Sequence, residues 1–298
     1  MKRITTTVIG SYPSTIATPE VMQNYFVQKT TSWNPYIKAA VDDMLSAGID
    51  MVSDGQTRDP FVQLFTRKLA GCRIRDRTEI TGKVTYIDPI TLADQTYVKQ
   101  LLPKEKFLVG LITGPFTLMK SCHDLYYNNE EQLAFDFASA LHEEALHLQS
   151  VVDLISIDEP FFSLDFPSYA LDLIATVLDR ISGPTRLHVC GDVTSNIAEL
   201  ADMPVDILSH EFKASPHLLQ EFDEYGVSKK ICLGAVRSDD PHVESVQEIA
   251  DHIKKAREIF GNAIVQVAPD CGQRLLPREV AFQKLRNLVT AGEQVYGR

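Results

Sequence analysis

Short apolar runs rich in Val and Ile alternate with longer stretches of helical periodicity along the whole of this 298-residue chain. Eight runs read as strands: 4–9, 49–53, 107–113, 154–158, 186–190, 205–211, 231–236 and 264–268. Most are nearly continuous in apolar residues, as expected when both faces of a parallel strand are covered. Helices are expected between them at 34–47, 129–149, 165–181, 243–260 and 277–295. Pro35 sits in the first turn of the first and Gly48 just past its end, the usual asymmetry of helix ends. Glu130 and Glu131 lie where the helix dipole favours negative charge. Gly261 closes the fourth helix and Pro277 starts the last. Strands alternating with helices predict βα units, and eight of them over this length predict an α/β fold of the (β/α)₈ TIM-barrel type. The stretch 64–106 is surplus to that pattern. It reads as an excursion between the second and third strands, with a hairpin near 82–87 and a helix at 91–101. An open doubly wound sheet competes, but no Gly-x-Gly-x-x-Gly follows the first strand, so a dinucleotide-binding version has no support. We find no linker or repeat, and the chain reads as one domain over 1–298.

Charge and cysteine usage narrow the function. A net charge of −11, with no Lys/Arg run longer than two, excludes nucleic acid as the main partner. The longest apolar stretch, 107–119, is broken by Gly110, Gly114 and Pro115 and is too short to cross a bilayer. The first ten residues do not resemble a signal peptide, so a cytoplasmic protein with no membrane partner is expected. Five widely spread cysteines, an odd number, do not form a disulfide framework. Cys232, inside an apolar run, reads as a small buried hydrophobe.

Polar residues gather at the carboxyl ends of the expected strands, the end at which barrels of this kind carry their active sites. They are Gly10-Ser11-Tyr12-Pro13, Asp54-Gly55-Gln56, Gly114-Pro115, Asp158-Glu159-Pro160, His188 with Cys190, Glu211, Arg237-Ser238-Asp239 and Asp270-Cys271-Gly272. His188 and Cys190 are two apart on a strand and face the same way. Alone, a His-x-Cys pair is more often core. With Glu211 and Cys271 at the ends of nearby strands, the four form a donor set suited to one Zn²⁺. The ligands are spread over more than 80 residues, unlike a zinc finger, which points to a catalytic metal on a preformed fold. His210 must point away from Glu211, so only one of them can be a ligand. Glu211, nearer the strand end, is the choice, and His210 is expected to pack under a helix. The run from His142 to His147 resembles a metalloprotease His-Glu-x-x-His, but its histidines are five apart and diverge around a helix. It reads as a solvated helix face.

These residues resemble the C-terminal catalytic barrel of the cobalamin-independent methionine synthase family, over essentially the whole chain. The family's zinc ligands correspond to His188, Cys190, Glu211 and Cys271. Its homocysteine-binding Ile-Gly-Ser corresponds to Ile9-Gly10-Ser11, and its Ile-Asp-Glu-Pro to Ile157-Asp158-Glu159-Pro160, in which the Asp grips the amino acid. Gly114-Pro115-Phe116-Thr117 keeps the family's Gly-Pro-x-Thr. Departures follow a pattern. The family's His-Gly-Glu is Asp54-Gly55-Gln56 here, so a carboxylate facing substrate has become an amide. Folate-contacting Trp and Glu positions fall near Ser121 and at Leu164. The proton-donor His falls near Asp239. No counterpart of the long enzymes' N-terminal half stands in this sequence. The resemblance implies methyl transfer to the thiol of L-homocysteine. It implies substrate contacts from Ile9, Gly10, Ser11, Gln56 and Asp158, and Asp158 and Asp239 as the catalytic positions. The lost folate contacts resemble short, core-type methionine synthases. They suggest methylcobalamin or a methylated corrinoid protein as donor, which would leave without needing a proton. Two rivals stand beside this: a zinc barrel that methylates coenzyme M from a corrinoid, related to uroporphyrinogen decarboxylase, and a non-catalytic zinc-binding barrel. Ile9-Gly10-Ser11 with Asp158 favours an amino-acid thiol over coenzyme M.

Overall fold

The computed structural model describes residues 4–13 and 33–297. Eight parallel strands form the barrel. In chain order they are β1 (Thr5–Thr6), β2 (Met51–Val52), β5 (Phe107–Thr113), β7 (Leu154–Asp158), β8 (Thr185–Val189), β9 (Ile207–His210), β10 (Lys230–Val236) and β11 (Ile264–Pro269). Each pairs with the next, and β1 pairs with β11. The last gap, between β1 and β2, is closed by a single parallel bridge from Thr7 to Met51. Asp50 reinforces that thin seam: Oδ2 accepts from the Thr6 N–H at 3.1 Å and hydroxyl at 3.0 Å.

Side-chain alternation separates the barrel interior from its outer layer. Ile9, Met51, Val109, Leu111, Leu154 and Ile207 form a cluster inside the barrel. On β8, Leu187 and Val189 join the larger core beneath the helices. Arg186 and His188, the alternate positions, therefore face the interior. Helices α1 (Asn34–Ala47), α5 (Glu130–Leu148), α9 (Val246–Phe260) and α10 (Arg278–Tyr296) lie close to the expected bounds, and α6 (Ala170–Leu178) lies within its own. Asn129 caps α5 by accepting from Gln132 N–H, and Ser245 with Glu248 forms a capping box on α9. The 165–181 prediction was too long, because 160–163 forms a 3-10 turn and the helix starts at Ala170.

Four short helices escaped the sequence reading: α2 (Phe61–Thr66), α4 (Pro115–Ser121), α7 (Ile197–Asp202) and α8 (Leu218–Tyr225). Each spans too few turns for a 3.6-residue period to register. The excursion holds α3 (Leu92–Leu101) as expected, but its hairpin differs. The strands are β3 (Leu69–Ile74) and β4 (Thr78–Tyr86), turning at 75–77 rather than within 82–87. Gly82 is instead a strand position facing Gly71 (φ +77°), where a side chain on Gly71 would run into the Gly82 carbonyl. A two-residue strand β6 (His123–Asp124) completes a small sheet.

Candidate metal centre and acceptor site

His188, Cys190 and Cys271 converge at the carboxyl end of the barrel. His188 Nε2 lies 3.1 Å from Cys190 Sγ, and Cys190 Sγ lies 2.7 Å from Cys271 Sγ. The three donor atoms lie within 4.8 Å of one another, and the cysteines are free thiols. A tetrahedral zinc with bonds of about 2.0–2.3 Å spaces its donors roughly 3.3–3.8 Å apart. The cluster fits such an ion after a small outward shift of the sulfurs. Burial drives the His188 pKa well below its ordinary value, so the imidazole is neutral, as a ligand must be. Its Nδ1 meets Ser209 Oγ at 3.1 Å, which fixes the ring and aims Nε2 at the thiols. The neighbouring Cys271 and burial push the Cys190 thiol far up.

Glu211 stands just past β9, with its carboxyl against the Gly191 backbone and the Cys190 side chain. It borders the three-donor cluster without joining it. His210 points outward as expected: its Nδ1 meets the Val189 carbonyl at 3.2 Å and its ring packs on Phe222 of α8, 5.2 Å between centroids. The loop after Glu211 is held by Asp270, which accepts from Lys213 N–H at 3.0 Å and Ala214 N–H at 2.8 Å. Burial raises the Asp270 pKa to about 8. Gly234 has no side chain because that space belongs to the Asp270 carboxylate. The Asp and the Cys of Pro-Asp-Cys-Gly thus serve one centre from two directions. A cavity of about 200 Å³ opens here, lined by Glu211, Ser238, Asp239, Asp270, Cys271 and Gly272.

The Ile9-Gly10-Ser11 segment lies directly against this centre. Gln273 N–H donates to the Ser11 carbonyl at 2.7 Å. A Cβ on Gly272 would come within 2.8 Å of Ser11 N, and Gly10 takes φ +51°, so two glycines permit the approach. On the other side Tyr12 N–H donates to the Gly55 carbonyl at 2.9 Å. That bond brings in the loop of Gln56, a buried non-glycine residue at φ +44° whose Nε2 has no partner among the described residues. Asp158 is paired in register with His188. Burial raises its pKa to about 7, against the opposing pull of Arg186 and a hydrogen bond from Ser156. The structure therefore brings Ser11 and Asp158 to the three candidate metal donors.

Asp239 lies further out. Arg237 grips it with two bonds, Nε at 2.9 Å and Nη2 at 2.7 Å, and this pairing lowers its pKa. That pairing favours the charged carboxylate at position 239. Leu164 is 80% exposed. The metalloprotease look-alike is not the solvated face expected of it. His142 and Glu144 are buried, and Glu144 accepts from the Ile90 and Thr91 N–H groups, both at 2.7 Å, to pin the excursion onto α5. Cys232 is fully buried as expected.

Two residues at the site went unread in the sequence. Ser209 and Arg186 carried a signal, polar side chains at inward positions of strands whose neighbours are apolar. Glu159 was placed at a strand end, but only the fold shows that it binds across to the turn beginning at Gly114.

A sequence profile described as the cobalamin-independent synthase catalytic domain matches residues 4–294. The methionine synthase of Methanocaldococcus jannaschii is 36% identical over 308 residues, covering 96% of this chain and 97% of that protein. The methionine synthase of Methanothermobacter marburgensis is also 36% identical, covering 97% and 99%. Among solved structures, a B12-independent methionine synthase from Shewanella, in complex with selenomethionine, superposes with a TM-score of 0.82. It shares 23% identity, with 99% of this chain and 98% of that one covered, and supports the barrel fold. No helix among the described residues is long and apolar enough to cross a membrane.

Proposed function

The chain belongs to the cobalamin-independent synthase catalytic-domain family and is a methyltransferase of the methionine synthase type, and from that premise we propose that it methylates the thiol of L-homocysteine at a zinc centre. The observation that carries the reading is the convergence of His188, Cys190 and Cys271 beside Ser11 and Asp158. His188, Cys190 and Cys271 would hold the metal, with Glu211 at hand for the fourth position. Zinc bound there would keep the acceptor sulfur as thiolate at neutral pH, where a free thiol of pKa about 8.5 is mostly protonated.

The protein's own groups would do the rest. Asp158 would receive the acceptor's ammonium group. Ser11 would meet its carboxylate, and Gln56 Nε2, without a partner among the described residues, offers a further donor. Both motifs abut the thiol-binding end, so the acceptor is gripped at three points and its sulfur is left facing the barrel mouth. The amino-acid ligand in the similar Shewanella structure supports an amino-acid acceptor here.

The donor is a separate question. The family's description as cobalamin-independent runs against the methylcobalamin or corrinoid-protein donor expected from the sequence, and the comparisons support no corrinoid partner. The reading in its favour rests on this chain alone. Leu164 and Ser121 stand where the long enzymes contact folate, and Asp239 is locked to Arg237 where a proton donor to a folate leaving group is expected. A screen of methylcobalamin, a methylated corrinoid protein and methyl-tetrahydrofolate, each with homocysteine and zinc, decides it. Turnover with the folate alone overturns the corrinoid donor, and no methionine from any donor overturns the acceptor. Coenzyme M in place of homocysteine tests the rival thiol.

A further inference from the structure

Arg186 is 0% exposed and lies inside the barrel on β8, on the same inward face as His188. Its guanidinium donates to neutral acceptors: Nε to Ser156 Oγ at 3.0 Å, Nη1 to Gln266 Oε1 at 3.2 Å and the Cys232 sulfur at 3.7 Å, and Nη2 to the Val8 carbonyl at 3.2 Å. Among the described residues no carboxylate comes within 4.0 Å of it. A buried cation surrounded only by neutral dipoles is costly, and apolar residues fill such interiors more cheaply. Its presence therefore calls for a use.

The hydrogen-bond directions supply one. A serine hydroxyl has one hydrogen. Arg186 Nε occupies the Ser156 oxygen as donor, which leaves that hydrogen for Asp158 Oδ1 at 3.3 Å. Asp158 Oδ2 has no hydrogen bond among the described residues and is not sealed from solvent. The titratable groups that feel the guanidinium are Asp158 on β7, His188 on its own strand and Cys232 on β10. Of these, Asp158 is the carboxylate, and Ser156 bridges it to the guanidinium.

We infer that Arg186 is a positioning residue for the acceptor amino acid: through Ser156 it orients the Asp158 carboxylate so that Oδ2 faces the acceptor's ammonium group. The inference rests on the reading of Asp158 as the ammonium site. It extends the acceptor grip from the barrel mouth to a charge two residues below the metal-binding His188.

The test is equilibrium binding of two thiols to the zinc-loaded protein. One is L-homocysteine. The other is 4-mercaptobutanoate, with the same thiol and carboxylate but no amine. The variants are Arg186→Gln, Ser156→Ala and Asp158→Asn, each checked for zinc content and thermal unfolding. Arg186→Gln and Ser156→Ala are expected to weaken homocysteine roughly tenfold, as for one lost hydrogen bond in a charge-bearing chain, with 4-mercaptobutanoate changed less than about twofold. A purely structural role would weaken both thiols alike. That result, or no change in either, overturns the inference while Asp158→Asn still discriminates between the thiols. If Asp158→Asn itself does not discriminate, the ammonium reading fails and the inference falls with it. Should Arg186→Gln fail to fold, Ser156→Ala carries the decision, because it breaks the same chain and leaves the buried charge in place.

Discussion

The carboxylate of Glu159 fills the space that a side chain at position 114 would need, so Gly114 and Glu159 form one unit. Glu159 accepts from Phe116 N–H at 2.9 Å, Thr117 N–H at 2.9 Å and Thr117 Oγ1 at 2.6 Å. It thereby ties the end of β5 to the end of β7, where Asp158 sits. Gly114→Ala is expected to cost about 1–3 kcal/mol through overpacking, read by denaturant unfolding. An unchanged midpoint would show that the turn relaxes freely.

Glu159 also sets a pH dependence. Burial raises its pKa from 4.5 to about 7, despite three donors that favour the charged form. A carboxyl with a raised folded pKa binds more protons folded than unfolded between those two values. Its contribution is complete below about pH 4.5 and is lost as pH rises through about 7. A shift of this size corresponds to about 3 kcal/mol. The metal-free protein should lose stability across that window, and Glu159→Gln should flatten the slope. Unfolding free energies of both proteins from pH 4.5 to 8 test this, and parallel curves would remove Glu159 as the cause.

Removal of one sulfur should abolish the metal centre. Cys271→Ser and Cys190→Ser should each take bound zinc from one per chain to below a tenth, with methyl transfer lost together, since two thiolates and one imidazole are the minimum donor set here. The barrel should stay folded, because the ligands lie at strand ends on an assembled fold. Metal analysis beside circular dichroism separates these effects. Full transfer by a zinc-free variant would end the thiol-activation account.

The barrel was legible because its strands are buried on both faces and its helices are long enough to show their period. The donor cluster was legible because His188, Cys190 and Cys271 are rare residue types at the ends of β8 and β11. What escaped was held by contacts between distant segments. Short α4 exists because Glu159 satisfies its first N–H groups. His142 and Glu144 read as solvated because nothing in the local sequence says that the excursion folds back over α5. The hairpin turn was misplaced because Gly82 looks like a turn residue and is a strand glycine facing Gly71. Arg186 was passed over because a charge in a barrel interior goes against the pattern that identifies the strand.

Asp270 should matter to the metal without touching it. Its two bonds to Lys213 and Ala214 N–H hold the loop that follows Glu211, and it directly precedes Cys271. Asp270→Ala is expected to weaken zinc binding by about 10–100-fold, the usual range for lost support behind a ligand. Competition with a chromophoric chelator gives the constant. Wild-type affinity would mean that the loop holds its place by packing alone.

Glu211 lies against Cys190 but outside the tight trio. A catalytic zinc needs three firm protein ligands and one position that exchanges. All four side chains stand at or just past strand ends, but only His188, Cys190 and Cys271 form the tight trio, and the backbone after Glu211 is tethered by Asp270. With zinc held by the trio, the exchangeable position would fall to Glu211, to be given up when the acceptor sulfur arrives. Glu211→Ala should keep about one zinc per chain with affinity reduced roughly tenfold, far less than the cysteine variants. X-ray absorption should show one oxygen donor fewer in this variant. The same technique should show an oxygen replaced by sulfur when wild-type protein takes up homocysteine. If Glu211→Ala empties the site as Cys190→Ser does, Glu211 is a firm ligand, and the acceptor must enter by enlarging the coordination sphere.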